Sequence, residues 1–310
     1  MIRIHKNYSE SVNAITHPSP HHADEVFATA MLATMFPVEL FRTRDQSIIN
    51  DSNAIVYDVG GMFDPEQQRF DHHQRGFSEV HPDGIVYSSA GLIWREYGSI
   101  IVEKLGKGID GDMITEVVSC VDNALVRGID AEDNGQGEKG DSMSVSSVIS
   151  IFNARWDEDE DYDECFKKAC EIAGTILERE IQVAISSVIG RKLIKDQIEV
   201  TDGAILIMDE YVGGWLEEVV STDSPKATGL LYAVFPAIDG NWNVQAIPPT
   251  IDNMMEQRKP FPEGWRGLRG EELIKSSGVE TAVFCHVAGF FAVAETKEDA
   301  ISLAEKSVNS

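Results

Sequence analysis

The 310-residue chain is 43% hydrophobic and 25% charged, enough apolar mass for the cores of about two domains. Its formal net charge of −26 excludes a protein that coats DNA or RNA generally, because repulsion opposes any approach to a phosphate polymer; an enzyme whose cations reverse the sign at one site is still allowed. No run of about 18 apolar residues reads as a membrane span, and "MIRIHKNYSESVNAITH" has no apolar core or cleavage site, so no membrane, no signal peptide and a cytoplasmic location are expected.

In chain order, "NAIT" from Asn13 reads as a strand, and "DEVFATAMLATMF" from Asp24 as an amphipathic helix with acidic residues in its first turn. "VELFRTR" is a second strand and "NAIVYDVGG" a third, cut by Gly60 and Gly61. A turn at Asp64-Pro65 leads into "DHHQRGF", residues 71–77. "SSAGLIWREYGSIIVEKLG" is a helix capped by Ser88 or Ser89, and another helix runs from about Asp112 towards Val126, with "GIDAEDNG" just past it. Strands alternating with helices of this length predict a parallel α/β sheet.

An acidic run, "DEDEDYDE", then opens one long helical pattern, roughly Tyr162 to Lys195. The run reads as a solvated helix start, since a calcium loop would need spaced oxygens and a central glycine. Beyond residue 195 come strands and hairpins: "GAILIMD", "GLLYAVFPAIDGNWNVQAIPP" with a turn at Asp239-Gly240-Asn241, and "TAVFCHVAGFFAVAE". A helix, "KEDAISLAEKSV", follows. The expected organisation is residues 1–195 as an α/β domain including the bridging helix, and 196–310 as a smaller α+β domain. Cys120, Cys165, Cys170 and Cys285 form no C-x-x-C pair and read as reduced thiols.

Ligand-type residues concentrate in the first half. His17, His22 and Asp24 lie between the first strand and its helix, Asp58 ends the third strand, Asp71, His72 and His73 follow the next turn, and Asp130 and Asp133 lie past a helix. Singly, each has a plain reading: a loop histidine, a helix-start carboxylate, a strand-end cap, or turn formers before Asn134-Gly135. His5, His21 and His81 read as surface residues, and Asp122 as structural. Jointly they read as a site, because the carboxyl ends of parallel strands meet at one sheet edge. Imidazoles with several carboxylates and no thiolate suit Mn²⁺, Mg²⁺ or Zn²⁺. The surplus of carboxylates points to two divalent ions about 3.5–4 Å apart, whose bridging hydroxide would attack phosphorus in line. One imidazole of the His72-His73 pair would bind metal and the other meet the phosphate or leaving oxygen.

These residues resemble the motifs of the DHH phosphoesterase superfamily. Within it, "THPSPHHADE", "VYDVGGMFDPEQQRFDHHQRGF", "IDAEDNG" and "RKPFPEGWRGLRGEEL" resemble the MYG family, melanocyte-proliferating-gene relatives that are metal-dependent hydrolases with reported 3′–5′ RNA exonuclease activity. The resemblance covers nearly the whole chain. It implies a parallel-sheet DHH-type domain joined by the long helix to a substrate-binding domain, and two Mn²⁺ ions, with Mg²⁺ or Zn²⁺ as alternates. It implies His17, His22, Asp24, Asp58, His72 and Asp130 as ligands, with Asp133 the alternate for the last. It also implies that Asp58 bridges the ions, that His73 serves the substrate or backs a ligand, and that Asp71 orients a neighbouring histidine. The superfamily often has aspartate where His22 stands. His21 leaves the register open; His22 is favoured by its spacing to Asp24.

In the second half, "VFCHVAGFFA" sets His286 beside a small turn, Ala288-Gly289, able to approach a phosphate. Arg258, Lys259, Arg266 and Arg269 surround Trp265, where guanidinium groups could pair phosphate and the indole stack a base; a solvated loop bridged to Glu256, Glu263, Glu271 and Glu272 is the plain alternative. The expected function is a Mn-dependent phosphodiesterase whose second domain closes over the metals. The resemblance alone suggests single-stranded RNA or a short oligonucleotide, trimmed from its 3′ end. Alternatives are hydrolysis of a dinucleotide or pyrophosphate, or a non-catalytic metal-binding protein. A homo-oligomer is left open.

Overall fold

The structure is a computed structural model describing residues 1–137, 143–253 and 255–310. It divides into two compact units, Met1–Ile185 and Ser186–Ser310. In the first, β1 (Ile2–His5), β2 (Ala14–Thr16), β3 (Val38–Arg42), β4 (Ile55–Tyr57), β5 (Phe63–Asp64) and β6 (Arg69–Phe70) form a sheet in the order β1-β3-β2-β4-β6-β5. All pairings are parallel except β5 with β6. The central strands are short apolar runs, Ala14-Ile15-Thr16 and Ile55-Val56-Tyr57, buried throughout as a sheet covered on both faces requires.

The connections decide where a site can form. Chain leaving β2 passes through α1 (Ala23–Met35) to β3 on one side; chain leaving β3 passes through α2 (Gln46–Asp51) to β4 on the other. The order reverses about β2, so the carboxyl ends of β2 and β4 lie side by side with an open crevice beyond them. Helix α1 is apolar nearly all round, buried from Ala23 through Leu32, and that burial includes Asp24, Glu25 and Thr29. Pro37 holds Phe36 extended and stops it.

Further on come α3 (Ser89–Leu105) and α4 (Gly111–Val121), and here the structure departs from the sequence expectation. The helix does not end near Val126; one wide turn over Asp122–Val126 leads straight into α5 (Arg127–Asp133). Asp130 and Asp133 are therefore on a helix rather than in a turn, and Gly135 (φ 67°) marks the true stop. After α6 (Val145–Ser150), α7 (Tyr162–Val200) runs across the division between the units. The division falls at 185/186 rather than 195/196, because Ile194 and Ile198 pack with Leu206, Trp215, Val219 and Phe235 in a core of the second unit.

That unit contains β7 (Ile205–Ile207), α8 (Trp215–Ser221), α9 (Pro225–Gly229), β8 (Tyr232–Pro236), β9 (Trp242–Ala246), α10 (Gly270–Ser277), β10 (Ala282–Cys285), β11 (Phe291–Ala294) and α11 (Lys297–Val308). Its sheet order is β10-β11-β9-β8-β7, antiparallel except for β7 with β8. Leu303 and Ala304 of α11 close one face over Tyr232, Val234 and Val244. All four cysteines are free thiols. No helix among the described residues is long and apolar enough to cross a membrane.

Candidate metal centre

At the switch point the first unit gathers a dense set of imidazoles and carboxylates. His17 leaves β2, His22 precedes α1, Asp24 and Glu25 sit in its first turn, and Asp58 leaves β4. Asp71, His72 and His73 follow β6, and Asp133 ends α5. Their donor atoms form three overlapping groups, each within 4.8 Å: His17-His22-Glu25-Asp58, Asp58-Asp71-His72-His73 and His22-Asp24-Asp133. Asp58 and His22 each belong to two of them.

The local backbone explains how they arrive. Asp58 has φ 55°, a left-handed conformation that aspartate tolerates better than most residues but that still costs roughly 1–3 kcal/mol. This bend turns its carboxylate to within 2.9 Å of His17 Nε2. Asp71 accepts hydrogen bonds from the Gly61 and His73 N–H groups and from His73 Nδ1 at 2.7 Å, so the strand-end loop, the triplet and the His73 ring are fixed together. His72 and His73 lie with ring centroids 4.2 Å apart, His72 turned inward and His73 largely exposed. Glu25 accepts the His22 backbone N–H as a capping carboxylate and also reaches His17 Nε2 at 3.1 Å.

The site is short of positive charge. Burial raises the pKa of Asp24 well above its ordinary value, and the Asp58 and Asp133 carboxylates push it further. Burial likewise raises Glu25 and Asp133. Burial disfavours charge on His17, yet hydrogen bonds to Asp58 and Glu25 outweigh it and bring its pKa up to about 10. Asp58, despite burial, is held well below the usual carboxylate range by His17. A cation among these carboxylates would offset their mutual repulsion.

Unsatisfied atoms give a sharper sign. Asp24 is fully buried, and neither carboxylate oxygen has a hydrogen-bond partner; His72 Nε2 is buried and unpartnered too, 3.3 Å from Asp133, 3.5 Å from Asp58 and 3.9 Å from Asp24. Leaving such groups unmet costs several kcal/mol in total, at about 1–3 kcal/mol per group and more for a charge. A divalent cation would meet that deficit, and the oxygen and nitrogen donors suit a hard or borderline ion.

The family model MYG1_exonuc, described as Uncharacterised protein family (UPF0160), matches residues 13–308. The chain belongs to the MYG1 family. A MYG1 protein of Dictyostelium discoideum is 33% identical over 319 residues, 95% of each chain. One of Caenorhabditis elegans is 32% identical over 321 residues, 94% of each chain. The human MYG1 exonuclease is 29% identical over 94% of this chain and 85% of its own.

Within this MYG1-family chain the structure separates residues that sequence left undecided. His22 enters the cluster. His21 is buried, its Nε2 3.3 Å from the Ile149 carbonyl and its N–H bonded to Asn153. Of the α5 aspartates, Asp133 joins the cluster, whereas Asp130, the preferred ligand from sequence, faces elsewhere. Its carboxylate accepts from the Ser88 N–H and hydroxyl, the Gly91 N–H and His81 Nε2, capping α3 instead of facing a metal. A Cβ on Gly91 would lie 2.0 Å from Asp130 Oδ2, so glycine alone permits this approach. His21 and His81, expected at the surface, are each 2% exposed, and His5 is half-buried against Glu39. Glu25 was not singled out; its spacing to His22, N-cap to third helical residue, was the available signal.

In the second unit the cations differ from the expectation of four free phosphate contacts. Arg258 donates to the Ala227 and Leu230 carbonyls at 2.6 and 3.0 Å, tying down the end of α9. Lys259 donates to the Val308 and Ser310 carbonyls at the end of α11. Arg266 Nε donates to the Phe261 carbonyl and packs under Gly289 (φ 70°), while Arg269 lies over the Phe284 ring at 4.3 Å. Trp265 is 6% exposed within the core and offers no face for a base. His286 Nδ1 accepts from the Ala288 N–H, and its ring lies 4.4 Å from Phe290.

Proposed function

We propose that the chain is a metal-dependent phosphodiester hydrolase, a 3′–5′ exonuclease on RNA or short oligonucleotides, using two divalent ions with Mn²⁺ the leading candidate. The observation that carries this reading is the buried Asp24 carboxylate, unpartnered at both oxygens beside Asp58, His72 and Asp133. The names of the human, bovine and rat relatives as exonucleases support the reaction class. His17, His22, Asp24, Asp58, His72 and Asp133 would hold the ions, with Asp58 shared, since it belongs to two donor groups. When bound, a cation pair supplies charge stabilisation to the phosphoryl oxygens and acidifies water.

The chain's own residues do the rest. Asp71 fixes the His73 ring through Nδ1 and favours its protonated form, leaving Nε2 of an exposed imidazole for the leaving oxygen. Glu25 holds the His17 and His22 positions. The cleft, about 560 Å³ and lined by His17, Asp58, Gly60, Gly61 and His73, has room for a phosphodiester.

Asp58→Asn tests the proposal, because asparagine accepts the left-handed backbone and removes only the charge. With Mn²⁺, the wild-type chain should shorten 5′-labelled RNA as a ladder from the 3′ end, and the variant should lose ~10³-fold in rate while still folding by circular dichroism, with a melting temperature lowered by loss of the His17 pair. Full activity in the variant overturns the shared-ligand assignment. Cleavage of dinucleotides or pyrophosphate without laddering favours the small-substrate alternative, and no hydrolysis with fewer than two ions bound favours a non-catalytic protein.

A further inference from the structure

Arg44 lines the cleft that also borders His17, Asp58, Asp71 and His73, and neither the family resemblance nor the sequence reading gave it a role. It follows β3, whose carboxyl end adjoins that of β2 at the switch point. Two residues earlier, Arg42 is tied into the fold: Nε donates to the His17 carbonyl at 3.1 Å, Nη1 pairs with Asp163 at 3.1 Å, and the guanidinium covers the Phe166 ring at 4.2 Å. Arg44 is exposed and makes no hydrogen bond, ion pair or ring contact with any described residue. The adjacent Asp45 does not pair with it; one of its carboxylate oxygens accepts the Ser47 N–H at 2.9 Å and the Ser47 hydroxyl at 2.6 Å to cap α2.

The setting makes that free guanidinium informative. The chain carries −26, so a polyanion is repelled unless the approach to the cluster is locally cationic. The adjoining cleft, lined by His22, Asp133, Glu132 and serines of α6, holds no lysine or arginine among the described residues, and Arg44 is the only one in the larger cleft. The candidate ligands are buried, Asp58 and His17 each 4% exposed, while Arg44 stands out in solvent at the rim. A group so placed reaches a part of the substrate beyond the phosphorus held at the cluster.

We propose that Arg44 binds a phosphate of the substrate one nucleoside away from the scissile linkage. This makes the site selective for a nucleotide chain with successive phosphates over a lone diester or pyrophosphate. The inference rests on the hydrolase reading above and names the substrate feature that reading leaves open. A guanidinium suits the task because its planar fork pairs two phosphate oxygens at once, which an ammonium group cannot reproduce.

The test compares Arg44→Ala, Arg44→Lys and Lys107→Ala, the last removing the same charge from an exposed site outside the cleft. Two substrates are used with Mn²⁺: a 5′-labelled tetranucleotide and bis(p-nitrophenyl) phosphate. Arg44→Ala should raise KM for the tetranucleotide about 10–100-fold, with kcat changed much less. Its loss on the single diester should be at least tenfold smaller than its loss on the tetranucleotide. Arg44→Lys should recover part of the loss, and the salt dependence of log KM should flatten by about one phosphate contact in the alanine variant. Mn²⁺ affinity by calorimetry should match the wild type. Equal losses on both substrates, or a loss no larger than that of Lys107→Ala, overturn the proposal. If the wild type cleaves neither substrate, the hydrolase reading falls. Equilibrium binding of a phosphorothioate-linked tetranucleotide then decides Arg44, and equal dissociation constants for wild type and Arg44→Ala end it.

Discussion

Asp24 in the first unit and two half-buried cations in the second meet their surroundings in opposite ways. In the first, Asp24 is sealed from solvent with nothing to bond, beside other carboxylates and an unpartnered imidazole nitrogen. In the second, Arg258 and Lys259 are equally conspicuous in sequence, yet both donate to carbonyls at helix ends. A charge with satisfied partners is architecture; a buried one without them is a candidate position for a ligand. The contrast separates the candidate metal cluster from the cationic segment around Trp265, which looked comparable from sequence.

The largest effect expected from this contrast lies at Asp24. Asp24→Asn should weaken divalent-ion binding and lower metal-dependent hydrolysis ~10³-fold while leaving the melting temperature equal or higher, because it relieves repulsion with Asp58 and Asp133. Calorimetric metal titration and thermal denaturation of the metal-free protein check both halves. On α5 the two aspartates should behave in opposite senses. Asp130→Asn should cost about 3–5 kcal/mol of stability in urea unfolding, since it breaks a buried pair with His81 and hydrogen bonds to α3. Asp133→Asn should weaken Mn²⁺ binding without that loss, and the reverse pattern would restore Asp130 as the ligand. Arg258→Ala should destabilise by about 1–3 kcal/mol, by leaving the Leu230 carbonyl unmet and the Ala227 carbonyl with only the Leu230 N–H, and should leave metal affinity alone.

Smaller pH effects should separate the units further. Burial pushes His21 down from 6.5 to about 4, so the unfolded chain binds its proton first; this contribution is intact above pH 6.5 and is lost as pH falls towards 4, at most about 3 kcal/mol. Burial pushes the Cys285 thiol up from 9 to about 11, so its contribution is intact below pH 9 and is lost as pH rises towards 11, by about 2–3 kcal/mol at most. Urea midpoints of His21→Asn and Cys285→Ala across both ranges, against the wild type, would show the slope vanish on the acid side for the first and on the alkaline side for the second.

Several elements were legible because their cause is local. Alternation and length located β2, β3 and β4, and the turn at Asp239-Gly240-Asn241 marked the β8–β9 hairpin. Periodicity found α3 and all but the last turn of α7. The end of α4 was misread because the wide turn at Asp122–Val126 carries the helix on without any composition signal, while the acids and glycine of "GIDAEDNG" imitate a stop. The division inside α7 was invisible for a similar reason: Ile194 and Ile198 continue the helical period, and only their packing partners assign them to the second unit.

Residue types and their order along the chain determined which groups could reach the carboxyl edge of the sheet: the histidines and aspartates after β2, β4 and β6. Tertiary structure alone decided which of two neighbours does so, His22 rather than His21 and Asp133 rather than Asp130, and which cations remain unengaged. The physical reason is that adjacent or one-turn-apart residues share the same local propensities. Whether a side chain meets a carbonyl, a helix end or an unpaired carboxylate depends on elements brought alongside from far away in the sequence.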